Sequence, residues 1–255
     1  MGEQHGGGRT VKSDGTLFSI VEQLRASDGA GVTELANRLD VAKSTVHDHL
    51  STIRDRGFVV KRGNEYHLGL EFFNYGQYVR NQFELYEAAK PIIDELAETT
   101  GEMVWLVVHE NGQVMYLYGC AGQTDIDENT LIGSWAYMHS NSAGKAILAH
   151  LPDAELEYVL ERHGLPQRTP NTITDRDELE AELEAVRERG YALNLGEDLK
   201  GIHAVSVPLL FEDRIRGAIA IAGPAHRMTR ERCETELIEQ LSALTNDIEL
   251  SLAYG

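Results

Sequence analysis

Residues 32–50, with the sequence VTELANRLDVAKSTVHDHL, decide the fold of the first part of this chain. Their apolar side chains recur at three- and four-residue spacing on both sides of Asp40-Val41-Ala42, which is typical of two helices that each bury one face. The first helix is predicted to have Thr33 as its N-cap and to run to about residue 39. The second is predicted from about Lys43 to Arg56, and Gly57 stops it.

One predicted helix precedes this pair, and a predicted hairpin follows it. Leu17, Ile20, Val21 and Leu24 have helical spacing. Residues 58–61 and 66–68 are predicted strands around a turn at 62–65. This order of elements is that of a winged helix-turn-helix, which we place at residues 11–70. Its third helix lies in the major groove of double-stranded DNA, so we predict DNA binding.

The exposed face of the third predicted helix carries cationic, hydroxyl and imidazole side chains. Lys43, Ser44 and Thr45 suit phosphates and nearby base edges. We expect His47, His49 and Thr52 to face one side together and to contact bases or thymine methyl groups. Asp48 either accepts a hydrogen bond from a cytosine amino group or points away. The predicted DNA-contacting residues are Thr33, Lys43, Ser44, Thr45, His47, Asp48, His49, Thr52, Arg54, Lys61 and Arg62.

The rest of the chain mixes helices and strands without strict alternation. Residues 71–100 are predicted to be a helical linker in which Pro91 starts or kinks a helix. Later strands are predicted at 103–109, 114–118, 191–195, 202–211 and 215–222, and helices at 142–150, 153–163, 175–190 and 229–253. Such an order predicts an α+β domain with an antiparallel sheet, at residues 101–255. Residues 1–10, MGEQHGGGRT, are predicted to be a disordered tail.

Charge is distributed unevenly along the chain. Residues 1–70 contain nine basic and nine acidic residues, so the 14 basic and 32 acidic residues of 71–255 account for the whole net charge of −18. The acidic part is expected to repel DNA. Only six of the 23 basic residues are Lys. Abundant carboxylates with scarce lysine predict a halophilic source, because a Debye length of about 3 Å at about 1 M salt screens their repulsion.

Several classes of function find no support in the sequence. No apolar run approaches the roughly 20 residues of a membrane span, and no secretory signal is present, so a cytoplasmic protein is predicted. Cys120 and Cys233 form no CxxC pattern, and no Cys/His cluster predicts a metal; no cofactor is expected. The chain also has no recognisable nucleophile–base signature or Gly-rich phosphate loop, which argues against an enzyme.

Three blocks of sequence resemble, in family order, the IclR family of transcription regulators. The first is VTELA at 32–36 followed by KSTVH at 43–47, and the second is MHSNSAGKAILA at 138–149. The third is RGYA at 189–192, then Gly201, Val207-Pro208 and AIAGP at 220–224. The resemblance implies a GAF-like effector domain, homodimers or dimers of dimers, and palindromic operators with half-sites about one helical turn, or a multiple, apart.

The resemblance also implies where a small-molecule effector binds. The matching positions are Trp135, Ala136, Ser142, Ala143, Asn194, Ile202, Ala204, Ala220 and Ala222. The free N–H groups of a helix starting at Ser142 are expected to hold a carboxylate. This sequence departs from the family pattern at two places in the implied effector site. GIHA at 201–204 replaces the family's Gly-x-Arg-Cys, and alanine replaces serine at 220 and 222. The less polar floor either favours an aromatic effector or means that a carboxylate site is lost.

We therefore predict a sequence-specific, DNA-binding transcription regulator. Its operator affinity is expected to change when a small organic effector, a carboxylate or an aromatic molecule, binds the C-terminal domain. Gly144 is expected to permit close packing of a helix on the sheet, and Lys145 to be a solvated or a structural cation. The alternatives are a DNA-binding protein whose vestigial C-terminal domain only dimerises, and an enzyme built on that domain.

Overall fold

The computed structural model describes residues 11–122 and 131–254, and the chain divides into two compact units. The first ends at Gln82 and the second begins at Phe83. The predicted disordered tail, residues 1–10, lies outside the described residues. The predicted linker, residues 71–100, is not a separate element here, because its first helix belongs to the first unit and its second helix to the second unit.

The first unit is a winged helix-turn-helix. Its elements are α1 (Lys12–Ala26), α2 (Val32–Leu39), α3 (Lys43–Asp55), β1 (Val59–Arg62), β2 (Glu65–Leu68) and α4 (Glu71–Arg80). The strands pair antiparallel and form the wing. One apolar core joins the three helices, with Leu24 of α1, Leu35 of α2 and Leu50 of α3 fully buried. On α4, Phe72 and Tyr75 pack on the Phe58 ring at centroid distances of 4.9 and 5.4 Å.

The start of α2 differs from the prediction. Its N-cap is Gly31, whose carbonyl oxygen accepts the Leu35 N–H, and Thr33 lies exposed in the first turn. The prediction that Thr33 caps this helix is therefore wrong. A hydroxyl residue such as Thr33 indicates roughly where a helix begins. It does not give the exact N-cap residue, which here is the extended Gly31, two residues earlier.

The second unit is an α+β domain built on an antiparallel sheet with strand order β5-β4-β3-β8-β7-β6, which confirms the predicted fold class. Its strands are β3 (Met103–Glu110), β4 (Gln113–Cys120), β5 (Trp135–Tyr137), β6 (Ala192–Leu195), β7 (Ile202–Phe211) and β8 (Arg214–Pro224). Its helices are α5 (Glu84–Thr100), α6 (Ser142–Leu148), α7 (Asp153–His163), α8 (Arg176–Arg189), α9 (Arg230–Arg232) and α10 (Ile238–Tyr254). A 3₁₀ turn, Met138–Ser140, precedes α6, and a π-helical segment, Cys233–Leu237, joins α9 to α10.

Helices cover both faces of this sheet. Along β3, Val104, Leu106 and Val108 point into a core shared with α5 and α10. Met103, Trp105 and Val107 alternate with them and pack on the opposite face with α6 and α8. This period-2 pattern is that of a strand buried on both sides. Among the described residues, no helix has the length and apolar content needed to cross a membrane.

Candidate nucleic-acid interface and ligand cavity

The outward surface of α3 carries most of the predicted DNA-contacting residues, and α2 and the wing carry the others. Val46, Leu50 and Ile53 are buried, so the remaining faces of the helix are turned outward. The exposed residues of the predicted set are Thr33, Lys43, Ser44, His47, Asp48, Thr52, Arg54, Lys61 and Arg62, and the half-buried ones are Thr45 and His49. The structure thus brings all of them to the surface of one unit, while their contact with DNA stays a prediction.

One expectation about this helix is wrong. His47 and His49 do not face the same side, because two successive steps on a helix turn the chain by about 200°. His47 is exposed, and His49 is half-buried. Thr52 uses its hydroxyl within the helix, donating to the Asp48 carbonyl oxygen at 2.8 Å.

The wing adds positive charge to this surface. Lys61 and Arg62 end β1 and are exposed, and the Lys61 Nζ lies 5.5 Å from the centroid of the Tyr66 ring. Arg54, near the end of α3, forms an ion pair with Asp55, with the guanidinium nitrogen 3.6 Å from the carboxylate oxygen. The cations of α3 and the wing suit contacts to phosphates on both sides of a groove.

A cavity of about 620 Å³ opens in the second unit on the sheet face that carries α6. All nine predicted effector positions line it: Trp135, Ala136, Ser142, Ala143, Asn194, Ile202, Ala204, Ala220 and Ala222. Its volume is in the range of small-molecule sites. The structure therefore brings together positions from β5, α6, β6, β7 and β8, and ligand binding at them stays a prediction.

Eleven further residues that the sequence did not predict also line the cavity. These are Met103, Trp105, Gln113, Tyr116, Leu131, Ser134, Tyr137, Asn141, Arg168, Asp198 and Leu199. The alternation of β3 was a usable signal for Met103 and Trp105, which share one face of the strand. Arg168 and Asp198 lie in irregular connections, where periodicity gives no orientation.

The cavity wall is aromatic and its floor is made of alanine methyl groups. Trp105 and Tyr116 form an edge-to-face pair with centroids 5.3 Å apart. Burial, with a smaller contribution from the Asp198 carboxylate, raises the pKa of Tyr116, so its phenol stays neutral. Ala220 and Ala222 belong to the floor. The surface suits a flat, largely apolar molecule.

A few polar groups are distributed along this wall. The Asn194 Oδ1 accepts the Glu197 N–H at 2.7 Å, which holds this amide at the cavity wall. Ser206 donates to the Ser142 hydroxyl at 2.6 Å, so Ser142 retains its own proton to donate. The Arg168 Nε lies 3.3 Å from the Asp198 carboxylate.

The start of α6 is less open to an anion than the sequence indicated. The Asn141 side chain accepts the Gly144 N–H at 2.7 Å, and the Asn141 carbonyl accepts the Lys145 N–H at 3.0 Å. One of the N–H groups expected to hold a carboxylate is therefore occupied by the helix's own cap. That expectation is wrong for Gly144, because the asparagine cap was not recognised in the sequence.

Lys145 is a structural cation. Its Nζ lies 2.9 and 2.8 Å from the two Glu197 carboxylate oxygens, and 3.4 Å from the Glu182 Oε1 on α8. Burial raises the pKa of Glu197, and the Lys145 ammonium opposes that rise. Because Glu197 is also hydrogen-bonded to Asn194, this ion pair fixes a segment of the cavity wall.

Two histidines of the second unit, His139 and His203, contact main-chain oxygens. The His139 Nε2 lies 3.1 Å from the Pro166 carbonyl oxygen, and the His203 Nδ1 lies 2.8 Å from that of Met228. Within residues 11–122 and 131–254, no three His, Cys, Asp or Glu side chains are grouped as metal ligands.

Comparison with known proteins matches both units to one family. The IclR helix-turn-helix domain model matches residues 17–63, and the model for the C-terminal domain of the bacterial transcriptional regulator IclR matches residues 77–250. A probable HTH-type transcriptional regulator, ArcR, of Halobacterium salinarum is 28% identical over 249 residues, which cover 96% of this chain and 95% of that protein.

Solved structures share the fold along nearly the whole chain. The crystal structure of Thermotoga maritima IclR has a TM-score of 0.79 at 28% identity and covers 95% of this chain and 98% of that one. An IclR homologue from Microbacterium hydrocarbonoxydans, crystallised with 4-hydroxybenzoate, has a TM-score of 0.80 at 20% identity, with coverages of 94% and 100%. With a C-terminal family model that spans more than half of its length, this chain belongs to the IclR family: it is a DNA-binding transcription regulator with a C-terminal effector-binding domain.

Proposed function

We propose that this regulator binds a palindromic operator as a homodimer or a dimer of dimers, and that an aromatic effector in the cavity changes its operator affinity. The observation that carries the proposal is the single cavity wall formed by all nine effector positions together with aromatic rings. The cavity binds its ligand without transforming it, and the protein acts in the cytoplasm, where it meets DNA.

The lining limits the chemistry of the effector. Trp105, Tyr116, Trp135 and Tyr137 supply ring faces and edges, and Arg168, paired with Asp198, supplies N–H donors at the wall. A flat molecule with one hydroxyl or carboxylate group therefore fits best. 4-Hydroxybenzoate, found with the Microbacterium relative, belongs to this class and is a suitable first probe.

The large apolar residues exposed on α4 and at its N-cap support self-association. Leu70, Phe73, Tyr75, Tyr78 and Val79 are each more than half exposed. A cluster of large apolar side chains on one short helix indicates a surface that another protein covers. A second copy of this chain satisfies the two-fold symmetry that a palindromic operator requires.

Effector and operator are coupled by linkage in this proposal. A ligand that binds one arrangement of the two DNA-binding units better than another shifts operator affinity by the ratio of its two affinities. Since Asn81, Gln82 and Phe83 alone separate α4 from α5 in the chain, a change at α5 is connected to the first unit through a short covalent path.

Footprinting of genomic fragments, including the gene's own upstream region, by the purified full chain in molar KCl tests the proposal. We expect protection with two-fold symmetry, and a shift in operator affinity of roughly 5- to 150-fold at saturating 4-hydroxybenzoate or a related aromatic acid. If the folded protein protects no fragment at any salt concentration, operator binding is refuted. Protection that no aromatic acid changes would favour the vestigial-domain alternative.

A matched pair of variants localises the effect. Ala222 lines the cavity, whereas Ala225, three residues later, does not. Ala222→Leu should project into the cavity and weaken or abolish the ligand-dependent shift while operator binding remains, and Ala225→Leu should leave both intact. Ligand binding is followed by the fluorescence of Trp105 and Trp135, the chain's two tryptophans, which both line the cavity.

A further inference from the structure

Asp48 lies at the centre of the outward ridge of α3. Val46, Leu50 and Ile53 point into the core. At 3.6 residues per turn, Asp48 is within about 20° of the direction opposite to these three side chains. Its side chain is 82% exposed. Ser44 precedes it by one turn on the same ridge, among the N-terminal helix residues that contact base edges in this fold.

The carboxylate of Asp48 has no strong partner within the helix. Thr52 donates to the Asp48 main-chain oxygen and not to the carboxylate. The His47 Nδ1 lies 3.7 Å from the Asp48 Oδ1, which is beyond hydrogen-bond distance. Residues 43–52 contain no other acidic side chain, so Asp48 is the one carboxylate among the N-terminal residues of this ridge.

A carboxylate pressed against DNA is unfavourable unless a donor meets it, because it loses water and faces phosphates. In the major groove the base donors are the amino groups of cytosine and adenine, and cytosine N4 is the usual partner of a carboxylate. The edges of guanine and the O4 of thymine present acceptors, which repel it.

We propose that Asp48 is a specificity-determining residue, whose carboxylate accepts a hydrogen bond from the N4 of one cytosine in each operator half-site. It excludes bases that present only acceptors at that position, so part of the specificity comes from repulsion. The inference rests on the proposed operator binding and names a base contact within it.

Selection from a random DNA library by the full chain tests this, with Asp48→Asn and Asp48→Ala compared with the wild type. Asp55→Asn is the matched control, because Asp55 is exposed on the same ridge but in the last turn of α3, 3.6 Å from Arg54. We expect a two-fold symmetric motif with cytosine at one position per half-site. Asp48→Asn should lower the preference for cytosine by roughly 5- to 100-fold and shift it toward adenine. Asp48→Ala should remove the preference, and both variants should bind random DNA more tightly.

The outcomes separate this inference from the function on which it rests. A wild-type motif that both Asp48 variants select with the same base preferences overturns the inference and leaves operator binding intact. An Asp55→Asn variant that changes the motif as much as Asp48→Asn also overturns it. Failure of the wild-type protein to enrich any motif refutes operator binding, and the Asp48 contact with it.

Discussion

Lys145 places an ammonium group where water does not reach it. Its side chain is 2% exposed, and its main partner, Glu197, is 10% exposed. Desolvation makes such a pair a weak source of net stability, but removal of one partner leaves an uncompensated buried charge. The pair therefore acts chiefly by fixing the β6–β7 connection, from which Asp198 reaches the cavity and whose Glu197 N–H bonds to Asn194 of β6.

We predict that Lys145→Met lowers the free energy of unfolding by about 3–5 kcal/mol. The deficit should shrink as the pH is lowered, because burial raises the pKa of Glu197 and the carboxyl, without its cation, takes up a proton. The double variant Lys145→Met/Glu197→Leu should recover most of the loss. Urea unfolding followed by tryptophan fluorescence measures this, since Trp105 and Trp135 both lie in the second unit.

The exposed pair between Lys90 and Asp94 on α5 provides the control. Its atoms are 2.7 Å apart, as close as in the buried pair, but both side chains are partly in water. Lys90→Met should lower the free energy of unfolding by at most about 1 kcal/mol. Equal losses in Lys145→Met and Lys90→Met would contradict a structural role for the buried ammonium.

The sequence left the role of Lys145 open for a physical reason. A lysine in a GK pair has the same local signature whether it is solvated or buried, and its partner is 52 positions away in the chain. The nine cavity positions were, in contrast, predictable from a family resemblance, since they follow recognisable blocks. Asp198 and Arg168 belong to no such block, and only the folded connections place them at the cavity.

Among the elements, α6 depends on a glycine. A Cβ added to Gly144 would overlap the carbonyl oxygen and the Cα of Met138, both backbone atoms that cannot move aside cheaply. The absence of a side chain is what lets α6 pack on the turn Met138–Ser140 and present Ser142 and Ala143 to the cavity.

Gly144→Ala should lower the free energy of unfolding by about 1–3 kcal/mol or more, and should weaken binding of an aromatic acid at the same time. The control is Gly15→Ala in α1, where an added Cβ meets no atom within 4 Å. That change should stabilise α1 by about 0.5–1 kcal/mol, because alanine loses less backbone entropy in a helix. Circular dichroism during urea unfolding tests both; a Gly144→Ala protein as stable as the wild type would refute the packing argument.

Long elements with strong periodicity could be predicted closely, and short ones could not. The predicted ranges 153–163 and 202–211 coincide with α7 and β7. The strand β5 was missed because Trp135–Tyr137 is too short for a period to appear. The sequence predicts an ordinary α-helix at the π-helical segment Cys233–Leu237, because the spacing of apolar residues is similar in α- and π-helices. In the structure, Cys233 and Leu237 are both buried in the core of the second unit.

At the scale of the whole molecule, the charge distribution distinguishes the DNA-binding unit from the acidic effector-binding unit. The part beyond residue 70 carries the entire excess of −18, so we expect it to repel DNA and to leave contact to the first unit. Two such acidic chains also repel each other at low salt. Association therefore requires an apolar surface, and we expect it to be strongest in molar KCl, where a Debye length of about 3 Å screens the carboxylates.

The apolar residues exposed on α4 are the surface that we propose for this association. Phe73→Glu/Tyr78→Glu should place two charges on it and convert the protein to a monomer of 28.3 kDa. A monomer holds one half-site only, so operator affinity should fall by at least about 100-fold. Tyr158→Glu, at an exposed tyrosine of α7, is the control and should leave both mass and affinity unchanged. Sedimentation equilibrium in molar KCl measures the mass, and a double variant that keeps the wild-type mass would exclude α4 as the association surface. A monomeric variant that no longer protects a symmetric footprint would show that operator binding requires the dimer.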